Sequence, residues 1–165
     1  MRTIQAQPLT AAAFAPYGCF ASVLQPEGPS LSGELHTFYR ENSRFFYQGK
    51  LPLGFSPIAV KKPEKMIITC AEYHNATCEA IIALNDDFIL HVAPANGGTP
   101  EPAKTEAFIV PKGVIVTLYP GVWHLCPLPK AEALLHALIL LPERTYVNDF
   151  FIEDFQAEDC FEITL

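Results

Sequence analysis

The chain has 165 residues, half of them hydrophobic and 12% aromatic, which is enough to bury a core without disulfide staples and excludes a disordered chain. Its formal net charge is −7 and no basic run exceeds the pair Lys61-Lys62, so there is no basic face for a nucleic-acid partner. The five cysteines are odd in number and form no Cys-x-x-Cys pair, and no stretch approaches the roughly 20 apolar residues of a membrane span, which argues against a disulfide framework, a zinc knuckle and a membrane partner.

Fifteen prolines and nine glycines break the chain into many short pieces, read here as one domain over residues 1–165. Residues 1–8 hold no apolar signal core, so the expected setting is cytoplasmic with reduced thiols. A short N-terminal helix is expected between Pro8 and Gly18, capped by Thr10, favoured by its alanines and ended by Pro16 and Gly18. Thr37–Arg40 and Arg44–Tyr47 are aromatic enough to be strands. Ile58–Val60, Met66–Cys70, Ala80–Leu84, Phe88–Ala93, Ala107–Val110, Val114–Tyr119 and Leu134–Leu141 read as further strands, rich in Val, Ile, Leu or Phe. Pro94–Pro102 is a polar surface loop, and Lys130–Leu141 has a competing helical reading from its Ala, Glu and Leu content. The segment Tyr146–Phe155 is aromatic and acidic; it covers the chain's own core or meets a second subunit, with the first preferred. The pattern defines an all-β sandwich or barrel.

Two clusters carry potential chemistry. In Glu72-Tyr73-His74, the first and third side chains share one strand face, and the turn-like Asn75-Ala76-Thr77 lets Glu79 open the next strand. In Pro120-Gly121-Val122-Trp123-His124, the Pro-Gly turn precedes a strand on which Val122, His124 and Cys126 share a face, directing His124 inward. Tyr73 and Trp123 then point outward, onto the surface, the outside of the barrel or an interface. If Glu72, His74, Glu79 and His124 meet, two carboxylates and two neutral imidazoles suit one divalent metal ion. Without a metal the carboxylates repel, one pKa rises, and His74, His124 and Glu72 become catalytic acid–base groups. His36, His91 and His136 have no convergent partner and read as structural, and Cys78 and Cys126 as small buried hydrophobes.

These clusters resemble the cupin motifs, His-x-His followed three or four residues later by Glu, and Pro-x-Gly-x-x-His. Here Glu72 replaces the first His, Gly121 directly follows Pro120, and His124 comes three residues after that glycine. Together with Pro8-Leu9-Thr10, Phe14 and Tyr17-Gly18, Glu72-x-His74 and Val122-Trp123-His124 are similar to the ureidoglycolate lyase branch of the cupin superfamily, over residues 8–141. That resemblance implies a double-stranded β-helix (a jelly-roll barrel), often dimeric, and cleavage of ureidoglycolate to glyoxylate and urea. It also implies a basic residue near Lys61 and Lys62, which with Arg40 are the candidate binders of a substrate carboxylate; Arg44 is an alternative. The chain departs from the branch at Pro120-Gly121, where members carry basic or amide residues, and at Glu79, where they often carry Gln. The expected partner is a small polar acid, with no nucleotide cofactor. Alternatives on the same barrel are a metal-dependent isomerase or epimerase of a sugar-derived substrate and a non-catalytic ligand-binding cupin.

Overall fold

The computed structural model describes residues 1–165, with strand the dominant secondary structure and only short helical turns. Two large sheets face each other. One has five strands in the order Gly18–Ser22, Val114–Leu118, Glu79–Ala83, Leu134–Pro142, Leu53–Lys61. The other runs Phe151–Asp154, Cys70–Tyr73, Trp123–His124, Phe88–Ala93, Glu106–Val110, Gln7-Pro8, with Leu128-Pro129 also on Phe88–Ala93. Neighbours in both sheets are antiparallel except Gln7-Pro8, which runs parallel to Phe108-Ile109. Ile81, Leu90, Phe108, Val116, Leu135 and Ile139 from the two inner faces interlock in the main core. This is the cupin-like arrangement that the strand pattern implies.

Period-two burial decides the elements. Leu135, Ala137, Ile139 and Leu141 are buried, while Leu134, His136, Leu138 and Leu140 are not, so the strand wins over the helical reading of Lys130–Leu141. Phe88–Ala93 is buried throughout because both of its faces are covered. Phe88, Leu90 and Val92 enter the main core; Ile89 lies beneath a third sheet built from Arg2–Gln5, Phe161–Thr164 and Met66–Ile68. The expected Met66–Cys70 strand is split, Met66–Ile68 belonging to this outer sheet and Cys70–Tyr73 to the inner one.

The N-terminal helix is a single turn, Ala11–Phe14, with the Thr10 hydroxyl accepting from the Ala13 N–H at 3.3 Å. It buries Phe14 edge-on against Phe108, ring centroids 5.3 Å apart. Thr37–Tyr39 is a strand, paired with Ser30–Ser32 in a small hairpin. Arg44–Tyr47 is not; only Tyr47 forms a bridge, to Thr77, because the loop backbone bonds locally to the turn at Ala76 and Cys78 instead of joining a sheet. The loop Asn85-Asp86-Asp87 staples the barrel's far end. Asp86 accepts from the Ala131 and Glu132 N–H groups, each at 2.8 Å, and Asp87 pairs with Lys130 at 2.8 Å.

Candidate active site

The turn Asn75–Thr77 hands the chain from one large sheet to the other, and this crossing assembles the site. His74 leaves Cys70–Tyr73, Glu79 opens Glu79–Ala83, and His124 closes Trp123–His124, whose register pairs it with Glu72. Three contacts hold the crossing. Asp149 accepts from the N–H groups of Asn75 and Ala76 with its two carboxylate oxygens, both at 2.8 Å, and the Gly121 N–H donates to the His74 carbonyl at 2.7 Å. Gly121 has φ +82°, and a Cβ there would meet that of Ala95 at 3.0 Å, so the Pro-Gly turn requires glycine.

At the centre, one oxygen of Glu79, Oε2, lies 3.0 Å from His74 Nε2 and 3.3 Å from His124 Nε2. All three residues are buried. Each imidazole is anchored through its other nitrogen: His74 Nδ1–H donates to the Asp149 carbonyl at 2.7 Å, and His124 Nδ1–H to the Val122 carbonyl at 2.9 Å. A carbonyl only accepts, so both rings carry a proton on Nδ1 and turn Nε2 toward Glu79. A neutral Nε2 presents a lone pair there, and two lone pairs facing one carboxylate oxygen repel. A proton or a cation must therefore lie between them. Burial would raise the Glu79 carboxyl, but the charge and hydrogen bonds of His124 and His74 override it and hold it down at about 2. Burial likewise works against a charged His124, yet Glu79, then Glu72, raise its pKa above the ordinary histidine value.

His74, Glu79 and His124 form a group able to hold a metal ion, their ligand atoms all within 4.8 Å of one another. Glu72 does not join that group. It is buried beside it and accepts no hydrogen bond from the chain. Burial, partly opposed by His124 and reinforced by Glu79, raises its pKa. The two carboxyls therefore split, Glu79 held low and Glu72 raised.

The expected cationic residues lie elsewhere. Lys61 is at the end of Leu53–Lys61 remote from Gly54, the residue level with the site, so it stands roughly 24 Å away at about 3.4 Å per residue. Lys62 is spent at that far end, its Nζ donating to the carbonyls of Lys130 and Ala131 at 2.7 and 3.3 Å. Arg40 is exposed at the end of the small hairpin, its backbone N–H on the Pro29 carbonyl. The strand that carries Lys61 is three times as long as its sequence signal, Ile58–Val60, which is what takes this residue so far from the site.

Trp123 is on the outer face and buried, packed on Tyr73 at 4.6 Å and donating to Asn96 Oδ1 at 3.0 Å. Tyr73 is half-buried and stacked on Phe151 at 4.9 Å. The chain's own segment Phe151–Asp154, paired with Cys70–Tyr73, supplies this cover. Burial, then Glu72, pushes up the Cys126 thiol, and burial does the same at Cys78, so neither is a ready thiolate.

Sequence reasoning missed Asp149, Tyr146 and Phe150. The rings of Tyr146 and Phe150 lie 6.1 and 6.4 Å from that of His74, so the aromatic, acidic segment after the last long strand covers the site with its first half, while Phe155 packs on the chain's own core as expected. Its density of aromatic residues was the available signal.

The fold is that of a cupin-like β-sandwich carrying a buried two-histidine, one-glutamate cluster at the sheet crossing. The sequence model of the family described as ureidoglycolate lyase matches residues 1–162, and the chain belongs to that family. It is similar to the ureidoglycolate lyases of Burkholderia mallei strains NCTC 10229 and NCTC 10247. With each it is 29% identical over 163 residues, covering 93% of this chain and 83% of the relative. With that of Pseudomonas paraeruginosa (strain DSM 24068 / PA7) it is 30% identical over 160 residues, covering 93% and 84%. The chain is thus an enzyme of the lyase kind, and the isomerase and non-catalytic readings fall behind.

Proposed function

We propose that the chain cleaves ureidoglycolate to glyoxylate and urea at the buried cluster of His74, Glu79 and His124. The observation that carries this reading is the single Glu79 oxygen shared by two anchored imidazoles, with a second buried carboxyl, Glu72, beside them. The reaction moves one proton. The carbinol hydroxyl loses it as C=O forms, and the ureido nitrogen gains it as the C–N bond breaks. In this reading Glu72 does both: as a carboxyl it delivers its proton to the ureido nitrogen as the C–N bond breaks, and as the resulting carboxylate it takes up the proton lost by the carbinol oxygen. A carboxyl whose pKa burial raises suits that exchange, a contribution of about 10²–10⁴-fold.

A divalent ion fits the cluster. Two Nε2 atoms and a carboxylate are its accepted donors, and both Nδ1–H groups already have the carbonyl partners that orient histidine ligands. His74, Glu79 and His124 would hold it, and it would polarise the substrate's hydroxyl oxygen. Glu79 keeps the imidazoles in register either way. A homodimer belongs to the same reading. The outermost strand Leu53–Lys61 leaves one edge unpaired and Phe55 72% exposed, a type of edge that proteins usually cover. The five free cysteines support a reducing, cytoplasmic setting.

Purified protein incubated with ureidoglycolate, before and after loading with divalent metals, is expected to release glyoxylate. Glu72→Gln, isosteric but unable to exchange the proton, should lower kcat about 10²–10⁴-fold with KM little changed. Absence of glyoxylate under every metal condition, from folded protein, overturns the assignment.

A further inference from the structure

The buried cluster contains two carboxylates and, apart from its histidines, no cation. A substrate that is itself a carboxylate needs a positive group near by. An open cavity of about 280 Å³ lies at the site's end of the barrel, lined among others by Gly54, Ser56, Leu141, Arg144 and Tyr146. Tyr146 is the wall it shares with the cluster: its ring stands edge-on to that of His74, at 6.1 Å and 88°. The ring is 60% exposed and its hydroxyl makes no hydrogen bond within the chain, so it is free to turn aside or to donate to an entering ligand. Two other cavities contain a basic residue, Lys50 in one and Arg44 in the other, but Tyr146 lines neither.

The backbone at Arg144 is unusual. It adopts the left-handed conformation, φ 65° and ψ 21°, one of two non-glycine residues in the chain with positive φ. The conformation turns the long strand Leu134–Pro142 into the short helix Thr145–Asn148 and is held by the Val147 and Asn148 N–H groups, both bonded to the Arg144 carbonyl at 3.0 Å. Such a conformation disfavours a side chain with a Cβ, and it recurs where surroundings impose it at functional sites. The guanidinium meanwhile has no hydrogen bond or ion pair. An unpaired planar fork at a cavity separated from the acidic cluster by the Tyr146 ring matches a carboxylate bidentately.

We propose that Arg144 is the substrate-anchoring residue, holding the carboxylate of a small 2-hydroxy acid in the outer cavity while the carbinol carbon reaches His74, Glu79 and His124 past Tyr146. This rests on the reading of that cluster as the reaction centre. It makes Arg144 the determinant of preference for acids over their neutral amides.

The test compares wild type with Arg144→Asn, chosen because asparagine tolerates the left-handed backbone, and Arg144→Lys. Two readouts are used: steady-state kinetics with ureidoglycolate, and calorimetric binding of glyoxylate and of glycolamide, a neutral probe. For Arg144→Asn, KM and the glyoxylate dissociation constant should each rise about 10–100-fold, with kcat within about threefold and glycolamide binding unchanged; Arg144→Lys should fall between. Unchanged KM and glyoxylate binding in a variant with the wild-type circular dichroism spectrum overturns the anchor and leaves the lyase reading intact. Wild type that binds glyoxylate through Arg144 but turns nothing over supports the anchor and overturns the lyase reading instead.

Discussion

Burial acts in opposite directions on the histidines either side of one strand. His124 looks into the site, where Glu79 more than offsets the cost of desolvating a charge, and its pKa is raised. His91 lies on the other face of Phe88–Ala93, edge-on to Phe161 at 6.0 Å, with its Nε2 buried and unpartnered. Burial, with a smaller push from His124, lowers its pKa to about 3. The unfolded chain therefore protonates His91 near its ordinary pKa of about 6.5 while the folded chain stays neutral there, so this residue's contribution is intact above that pH and is lost as the pH falls toward 3. The loss amounts to about 2 kcal/mol between pH 7.5 and 5. His124 has the opposite sign, its stabilisation being present at low pH and lost as pH rises through its raised pKa. His91→Leu removes the acid-sensitive component alone, and with it an orphaned polar atom. Urea unfolding of the variant from pH 7.5 to 5 should show a profile about 2 kcal/mol flatter than wild type on the acid side. Parallel profiles would mean that His91 titrates alike in both states.

At the scale of elements, the segment Thr145–Asp154 decides how rigid the site is. Asp149 bonds the two backbone N–H groups of the turn that joins the sheets, and its carbonyl orients His74. Charge-assisted bonds to N–H groups are worth about 1.5–3 kcal/mol when shielded; here the turn is partly exposed, and about 1–3 kcal/mol for the pair is the reasonable expectation. Asp149→Ala should therefore speed hydrogen exchange at Asn75 and Ala76 by about 5–100-fold, and lower kcat/KM by about 10–100-fold through loosened orientation of His74. Asp149→Asn, which keeps one acceptor, should fall between. Unchanged exchange at both amides would show that the turn holds itself. This element is where reading the sequence stops working. The strands were legible because Phe88–Ala93 and Leu134–Leu141 carry dense β-formers and the latter alternates in burial. Tyr146–Phe155 carries no period that marks a strap, and its contacts with His74 and Asn75 span more than 70 residues.

Across the whole molecule, the same limit explains which site residues were legible. His74 and Glu79 are five residues apart across a readable turn, and His124 follows a readable Pro-Gly turn, so local rules aim each inward. Lys61 failed because nothing local says how far a strand runs, and the nine-residue Leu53–Lys61 carries its charge to the opposite end of the barrel. Also illegible was the third sheet, since its parallel pairing of Arg2–Gln5 with Phe161–Thr164 joins segments from the two ends of the chain. That sheet is a lid on the outer face of the site-bearing sheet, and Phe161 is its keystone. The ring is fully buried, packs on Phe155 at 6.1 Å, faces the His91 imidazole and carries the Arg2 guanidinium at 5.2 Å. Phe161→Ala should cost about 3–5 kcal/mol, as for other buried phenylalanines. It should also admit water to His91, so the acid-side loss of stability shrinks in the same variant. The site lies on the opposite face of Phe88–Ala93, so turnover measured well below the lowered Tm should stay within a few-fold of wild type. A cost under about 1 kcal/mol in urea unfolding would show the outer sheet to be an ornament on an already complete sandwich; a large cost with an unchanged pH profile would show that His91 owes its shifted pKa to the inner sheet alone.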